Sequence, residues 1–216
     1  MAHTPVRDNQ RVGAVRFSPD GRLLAVVGDG AVLWDLVDPA HPQVAATLTL
    51  DKRKRRNQFH SVAFDPDGQT MATGHGDAIR IWDLTTPHRP CLACTKRQAK
   101  RFLGSSTMFS LVFTADGHYL LAVGGNGIAV TELIRSTWVD FPVTPTDTWP
   151  VERQPSTNMS SLALHPHGRF LAGIRRYDVA GDEGPTGAQQ GVVVWDVRDV
   201  RAPRPVVVLL DRTEIR

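Results

Sequence analysis

Apolar and polar positions alternate along most of this chain, and tight turns interrupt the alternation at regular intervals. In Val15-Arg16-Phe17-Ser18-Pro19-Asp20-Gly21, Val15 and Phe17 share one face of an extended segment. Pro-Asp-Gly then turns the chain, with a glycine free to take positive φ. Leu23-Leu24-Ala25-Val26-Val27 follows, a continuous apolar run that predicts a strand buried on both faces. Gly28-Asp29-Gly30 turns the chain again, and Val32, Trp34 and Leu36 alternate along a third strand over 31–36. A proline-bearing connection, Asp38-Pro39-Ala40-His41-Pro42, leads to a fourth strand over 43–50.

The scheme recurs. Val62-Ala63-Phe64-Asp65-Pro66-Asp67-Gly68, Leu111-Val112-Phe113-Thr114-Ala115-Asp116-Gly117 and Leu162-Ala163-Leu164-His165-Pro166-His167-Gly168 repeat the strand-and-turn pattern, with turn glycines 47, 49 and 51 residues apart. Trp34-Asp35, Trp82-Asp83 and Trp195-Asp196 form a second landmark, replaced by Thr131-Glu132 in the third repeat. Four short antiparallel strands per unit at this period predict propeller blades. The expected layout is an N-terminal extension over 1–11, then blades over 12–50, 57–95, 108–142 (degenerate) and 159–210 (with an insertion near 175–190).

With these residues in view, the chain resembles the WD-repeat β-propeller family over residues 12–210, and in particular the divergent repeats of high-GC bacteria. The resemblance implies an all-β fold of four-stranded antiparallel blades. It also implies a role in protein interaction, alone or as a regulatory or sensor segment of a larger signalling ATPase, kinase or DNA-binding regulator. The chain departs from the family in three ways. Asp8, Arg55, Gly104 and Pro155 stand where the family has a histidine that bonds to the Trp. The third repeat lacks Trp-Asp, and its outer-strand region over 136–155 is interrupted by prolines. Four blades also fall short of the seven usual in the family, so a partial or open ring is expected. Val12, Val15 and Leu24 at one end, and Val193, Val207 and Leu209 at the other, would then be exposed. Such surfaces favour self-association or pairing with another propeller fragment.

Composition narrows the chemistry. The 216 residues are 41% hydrophobic and 22% charged, which excludes disordered, collagenous and disulfide-stapled classes. No apolar run approaches the roughly 18 residues that span a bilayer. The first residues lack the apolar core of a secretion signal, and there are only two cysteines. The expected setting is therefore a reducing cytoplasm, without membrane contact.

The net charge of +3 conceals two basic runs: Lys52, Arg53, Lys54, Arg55 and Arg56, then Lys96, Arg97, Lys100 and Arg101; without these nine the remainder carries −6. Both runs are placed where an outer strand hands over to the next blade, so they are expected to converge on one face. There they would attract an acidic protein segment or an anion such as nucleic acid. Only Phe59 and Phe102 flank them, so base stacking is not indicated. The insertion in the fourth repeat, with Arg175, Arg176 and Tyr177 at its start, is expected to be a loop on the same side and a further recognition element.

Catalytic and metal motifs are absent from the sequence: it has no Gly-x-Ser-x-Gly, no His-Glu-x-x-His and no phosphate-binding loop. Cys91-x-x-Cys94 lacks a second cysteine pair for zinc, and on a strand its Cα atoms lie roughly 10 Å apart, beyond disulfide reach. It reads as small apolar strand residues. His165-Pro166-His167 replaces Ser-Pro-Asp in a turn and has no third ligand. No cofactor is expected, and the function read from sequence is a non-catalytic interaction scaffold. Circular dichroism should show a strand spectrum; helix above a few per cent would contradict the repeat assignment.

Overall fold

The computed structural model describes residues 11–48, 58–75, 78–97, 110–124, 127–134, 137–141, 158–181 and 184–210. Four turns set its frame. The glycine N–H of each donates to the carbonyl three residues earlier: Gly21 to Ser18 (2.9 Å), Gly68 to Asp65 (3.1 Å), Gly117 to Thr114 (2.9 Å) and Gly168 to His165 (2.7 Å). All four glycines hold φ between 70 and 72°, where a Cβ would strain the backbone. A second bond closes each blade on its own turn. The N–H groups of Leu36, Leu84, Leu133 and Val197 donate to the carbonyls of Arg22, Gln69, His118 and Arg169.

Around these turns the strands form four antiparallel sheets, each in chain order. Blade 1 is β1 (Val12–Phe17), β2 (Leu23–Gly28), β3 (Ala31–Asp35) and β4 (Gln43–Leu48). Blade 2 is β5 (Phe59–Phe64), β6 (Thr70–His75), β7 (Ala78–Asp83) and β8 (Cys91–Arg97). Blade 3 is β9 (Ser110–Phe113), β10 (Tyr119–Gly124), β11 (Gly127–Ile134) and β12 (Thr137–Phe141), so the third repeat does complete an outer strand ahead of its prolines. Blade 4 is β13 (Asn158–Leu164), β14 (Phe170–Gly181), β15 (Gly184–Asp196) and β16 (Arg204–Leu210). The chain divides into two compact units, 1–98 with blades 1 and 2, and 99–216 with blades 3 and 4.

Cross-strand pairing assigns each blade a front face, which carries the Trp position, and a back face. In blade 1, Leu24 pairs with Phe17 and Trp34, placing these three on the front; Ala25 pairs with Leu33, placing both on the back. Within the first unit the back of blade 1 (Ala25, Val27, Ala31, Leu33, Leu48) packs on the front of blade 2 (Phe59, Val62, Met71, Trp82, Leu84). The second unit repeats this: Leu121, Val123 and Val130 on the back of blade 3 meet Leu162, Leu171, Val193, Trp195 and Val197 on the front of blade 4. Fully burying one such aliphatic side chain contributes about 1.5–3 kcal/mol. Where β1 meets β5 the approach is close enough that a Cβ on Gly13 would stand 2.7 Å from the Phe59 carbonyl oxygen.

Burial at two positions follows from this packing, and the expected exposure of Val193 needs correction. Trp82 and Trp195 are buried but Trp34 is only half-buried, because its front face has no blade before it within the unit. Val193 is buried, because it lies on the front of blade 4 against blade 3 and not on the blade's far side. The missing histidine partner of the Trp is replaced in blade 2 by a threonine within the sheet: Trp82 Nε1 donates to Thr73 Oγ1 at 2.9 Å. A register shift immediately before Trp34, Trp82 and Trp195 leaves an extra residue on the outer strand, bulging β4, β8 and β16 against the Trp-bearing strands. Blade 3, which lacks the Trp, pairs β11 with β12 without a shift.

The turns differ in their chemistry. In blade 1, Ser18 Oγ donates to Asp20 Oδ1 (2.6 Å) and accepts from the Leu23 N–H (2.9 Å). Asp65 takes the serine's place in blade 2, accepting from the Thr70 N–H at 2.9 Å, with Asp67 where Asp20 stands. Burial, and then a hydrogen bond to Asp67, raise the Asp65 carboxyl to about 6, because it must keep a proton to donate. The folded chain therefore binds this proton more tightly than the unfolded chain, whose aspartates titrate near 3.9. The sign follows: Asp65 favours folding at low pH, and its contribution is lost as pH rises from about 4 through about 6. Asp65→Ser, which restores the blade 1 chemistry, should remove this decline and stabilise the fold near pH 7 by about 1 kcal/mol. Parallel pH profiles of the two melting midpoints would refute it.

Candidate interaction surface

Blade-to-blade packing is reinforced at the rims by polar contacts that recur at equivalent positions. In each unit the acidic residue after the first blade's Trp position receives a basic residue from the third-to-fourth strand connection of the second blade. His88 Nε2 of blade 2 lies 3.5 Å from Asp35 Oδ2 of blade 1. At the same repeat position Arg201 of blade 4 reaches Glu132 of blade 3, with Nη2 3.1 and 3.0 Å from the two carboxylate oxygens. At the opposite end of the sheets, Asp29 in the second-to-third strand turn of blade 1 accepts from the Arg11 N–H and from Gln58 Nε2 of blade 2, each at 3.0 Å. The Arg11 N–H and the Gln58 amide hold the Asp29 carboxyl below its ordinary range. Such contacts fix orientation more than they add stability, since exposed pairs contribute about 0–1 kcal/mol.

The sequence-predicted site residues fall unevenly on this frame. Lys52, Arg53, Lys54, Arg55, Arg56, Lys100 and Arg101 lie outside the described residues. Lys96 and Arg97 are not in a connecting loop as expected: they end β8, paired in backbone register with Ile79 and Ala78. Opposite Ala78 is also the end of the sheet that carries the turn between β6 and β7. In blade 1, β4 likewise finishes with Leu48 opposite Ala31, beside the turn between β2 and β3. The chain thus enters the first basic run, and reaches the second, from corresponding ends of two neighbouring blades.

The insertion of the fourth repeat is not a loop. Residues 175–181 and 184–190 lengthen β14 and β15 into one hairpin, with Arg175 opposite Gly191, Arg176 opposite Gln190, Tyr177 opposite Gln189 and, after a register shift between Val179 and Ala180, Gly181 opposite Gly184. Backbone pairing satisfies these peptide groups, which outweighs the weak strand preference of its Gly, Asp and Gln residues. β13 follows it only to Arg176 and β16 only to Gly191. Beyond that point the hairpin extends past the rest of its blade, at the end equivalent to the one from which β4 and β8 leave.

The remaining candidates are structural. Cys91 and Cys94 are free thiols on β8, exposed and half-buried, so they are outer-strand residues and not buried ones. His165 Nδ1 accepts from the His167 N–H at 3.2 Å, at the turn position that Ser18 holds in blade 1. Among the described residues no group of three or more His, Cys, Asp or Glu could hold a metal, and no helix is long and apolar enough to cross a membrane. The inter-blade clamps were missed in the sequence because His88 and Arg201 sit at equivalent positions with different side chains.

The family profile described as "WD domain, G-beta repeat" matches residues 2–35 and 54–83, the segments that end in Trp34-Asp35 and Trp82-Asp83. The chain is a WD-repeat protein. It is 31% identical over 184 residues to transducin beta-like protein 3 of Bos taurus, a match that takes in 80% of this chain and 20% of that protein. This WD-repeat chain therefore spans about a fifth of the length of that relative. Among solved structures it resembles a protein of Lactobacillus plantarum (TM-score 0.59, 13% identity, 88% of this chain and 54% of that one). It also resembles the periplasmic gluconolactonase of Pseudomonas aeruginosa (TM-score 0.64, 18% identity, 90% of this chain and 55% of that one). At these identities the likeness establishes the fold, a β-propeller, and nothing about activity. WD repeats generally mediate protein interactions.

Because the extended hairpin lies past the register of its blade, replacing residues 177–189 by Asn-Gly, a two-residue hairpin turn, should shift the melting midpoint by no more than about 4 °C. A much larger drop would show that the ribbon belongs to the core.

Proposed function

We propose that this chain is a non-catalytic protein-interaction scaffold of the cytoplasm. Its partner would bind at the end of blades 1 and 2 where β4 and β8 finish. The observation that carries this reading is the common exit of β4 and β8 beside their second-to-third strand turns. That exit supports a reading in which the run Lys52, Arg53, Lys54, Arg55 and Arg56 and the run from Lys96 serve one partner on the first unit. WD-repeat membership supports a protein as partner. Nine cations in these two runs favour an acidic segment on it. Arg175, Arg176 and Tyr177 begin a second contact on blade 4. No chemical step, cofactor or metal is assigned.

A second reading is a regulatory or sensor segment of a larger signalling protein. The chain's coverage of only a fifth of its bovine relative favours it. A nucleic-acid-associated module, the third reading, uses the same cations and is separated from the first by the choice of probe.

The test uses a polyglutamate peptide and a single-stranded oligonucleotide at low salt. Replacing Lys52, Arg53, Arg55 and Arg56 by Gln should weaken peptide binding about tenfold, as four exposed ionic contacts of about 0.4 kcal/mol each would. Stability should change by less than about 0.5 kcal/mol. Unchanged affinity would remove the basic runs from the interface. Preference for the oligonucleotide, with a steep salt dependence, would favour the nucleic-acid reading.

A further inference from the structure

An outer strand leaves one edge of its blade unpaired, whatever lies before or after that blade, and the four outer strands differ in how they protect that edge. β4, β8 and β16 each carry an extra residue at the register shift: Ala45, Ala93 and Val206 have no partner on the Trp-bearing strand. Such a bulge bends an edge and twists it away from further pairing. β16 also holds Pro205, which cannot donate to a ladder, and β8 ends on Lys96 and Arg97. β12 has none of these features. It pairs without interruption from Thr137 opposite Ile134 to Phe141 opposite Val130. Its sequence, Thr-Trp-Val-Asp-Phe, has four strong strand formers and one charge. The blade that lacks Trp-Asp is thus the one whose outer edge stays regular. Among the described residues no strand lies on the far side of β12. The sequence that follows is ill suited to cover it, because Pro142, Pro145, Pro150 and Pro155 leave no proline-free run longer than four residues.

We propose that the outer edge of blade 3 is a strand-addition site, which takes an extended basic segment of a protein partner as a fifth, antiparallel strand along Thr137–Phe141. Main-chain hydrogen bonds supply the affinity of such a contact, and alternate side chains its selectivity. Antiparallel pairing continues the arrangement of the whole sheet and is the more stable kind per residue. Asp140 is the one charge of the edge, so the residue opposite it is a lysine or arginine; a like charge there is destabilising. Trp138, Val139 and Phe141 favour aromatic or β-branched residues opposite them. A second copy of the chain fits less well, because β12 offers no cation to meet Asp140 of another β12. The site rests on the proposed role in protein interaction, and is independent of the basic runs and of the acidic segment they select.

The experiment titrates the full chain into a capped, fluorescent pentapeptide, Val-Lys-Val-Tyr-Thr, and reads its anisotropy. Antiparallel alignment sets the peptide's lysine opposite Asp140 and its tyrosine opposite Trp138. Two further peptides carry N-methyl groups on alternate residues, one on the lysine and tyrosine, the other on the two valines and the threonine. In an added strand only alternate N–H groups face the edge, so one methylated peptide should lose at least about tenfold in affinity and the other less than about twofold. Replacing the peptide lysine by glutamate should weaken binding about fivefold, and Asp140→Lys in the protein should reverse that preference. The methylated peptides test the wild type, so the proposal stays exposed to refutation even if Asp140→Lys fails to fold. Hydrogen exchange with the unmodified peptide should show new protection over 137–141. Two methylated peptides of equal affinity would overturn the proposal, as would protection that falls on β4, β8 or the blade 4 hairpin instead. Indifference to the charge swap would overturn the basic segment. Concentration-dependent protection of 137–141 without peptide would put a second copy in its place. No binding by any of the peptides would remove this site, while the polyglutamate assay would still report on the basic runs.

Discussion

A four-stranded blade has two apolar faces, and burying both takes two neighbours. Every larger feature of this chain follows from that constraint. The faces are not interchangeable: the front carries the Trp position and the bulge beside it, the back carries small and branched aliphatics. Back-on-front is the contact found in both units, so each blade must present both surfaces in register with its neighbours. Four Asp-Gly-type turns with left-handed glycines achieve this by starting every second strand in the same phase. A shift of one residue would exchange front for back along the strand.

Variation is tolerated where it leaves that phase intact. Blade 3 has lost its Trp and the associated bulge, yet Leu121 and Val130 still hold its back against blade 4. His165 and Asp65 replace the serine of the first turn with quite different chemistry, while the main-chain bonds of the turn persist. The cost appears in protonation instead of geometry. Asp65 must retain a titratable proton to do what a hydroxyl does without titrating, so this turn loses stability as pH rises, whereas the lowered carboxyls of Asp20 and Asp116 act in the opposite direction at low pH.

The fold was legible because its signals are local. Glycines at 21, 68, 117 and 168 and the Trp-Asp pairs mark turns and third strands without reference to anything distant. Burial is not local. Trp34 and Trp82 are indistinguishable as sequence, and only the presence of a preceding blade separates half-buried from buried. The inserted hairpin escaped for a related reason: Gly, Asp and Gln give it the composition of a loop, and only partner strands reveal that 175–190 pairs with itself. The basic runs were plain in the sequence. What it did not convey is that Lys96 and Arg97 close an outer strand, since strand ends depend on how far the neighbouring strand extends.

That hairpin has a consequence for dynamics. Among the described residues, from Tyr177 to Gln189 it is a ribbon of two strands, without the inner and outer strands that flank β14 and β15 over the rest of the blade. A two-stranded ribbon in water is marginal by itself. Its peptide groups should therefore exchange hydrogen through local opening, well before those of the four-stranded body of the blade. Its two open edges offer main-chain donors and acceptors to any extended segment that approaches. Protection of these amides on mixing with a partner would then report contact at this one blade.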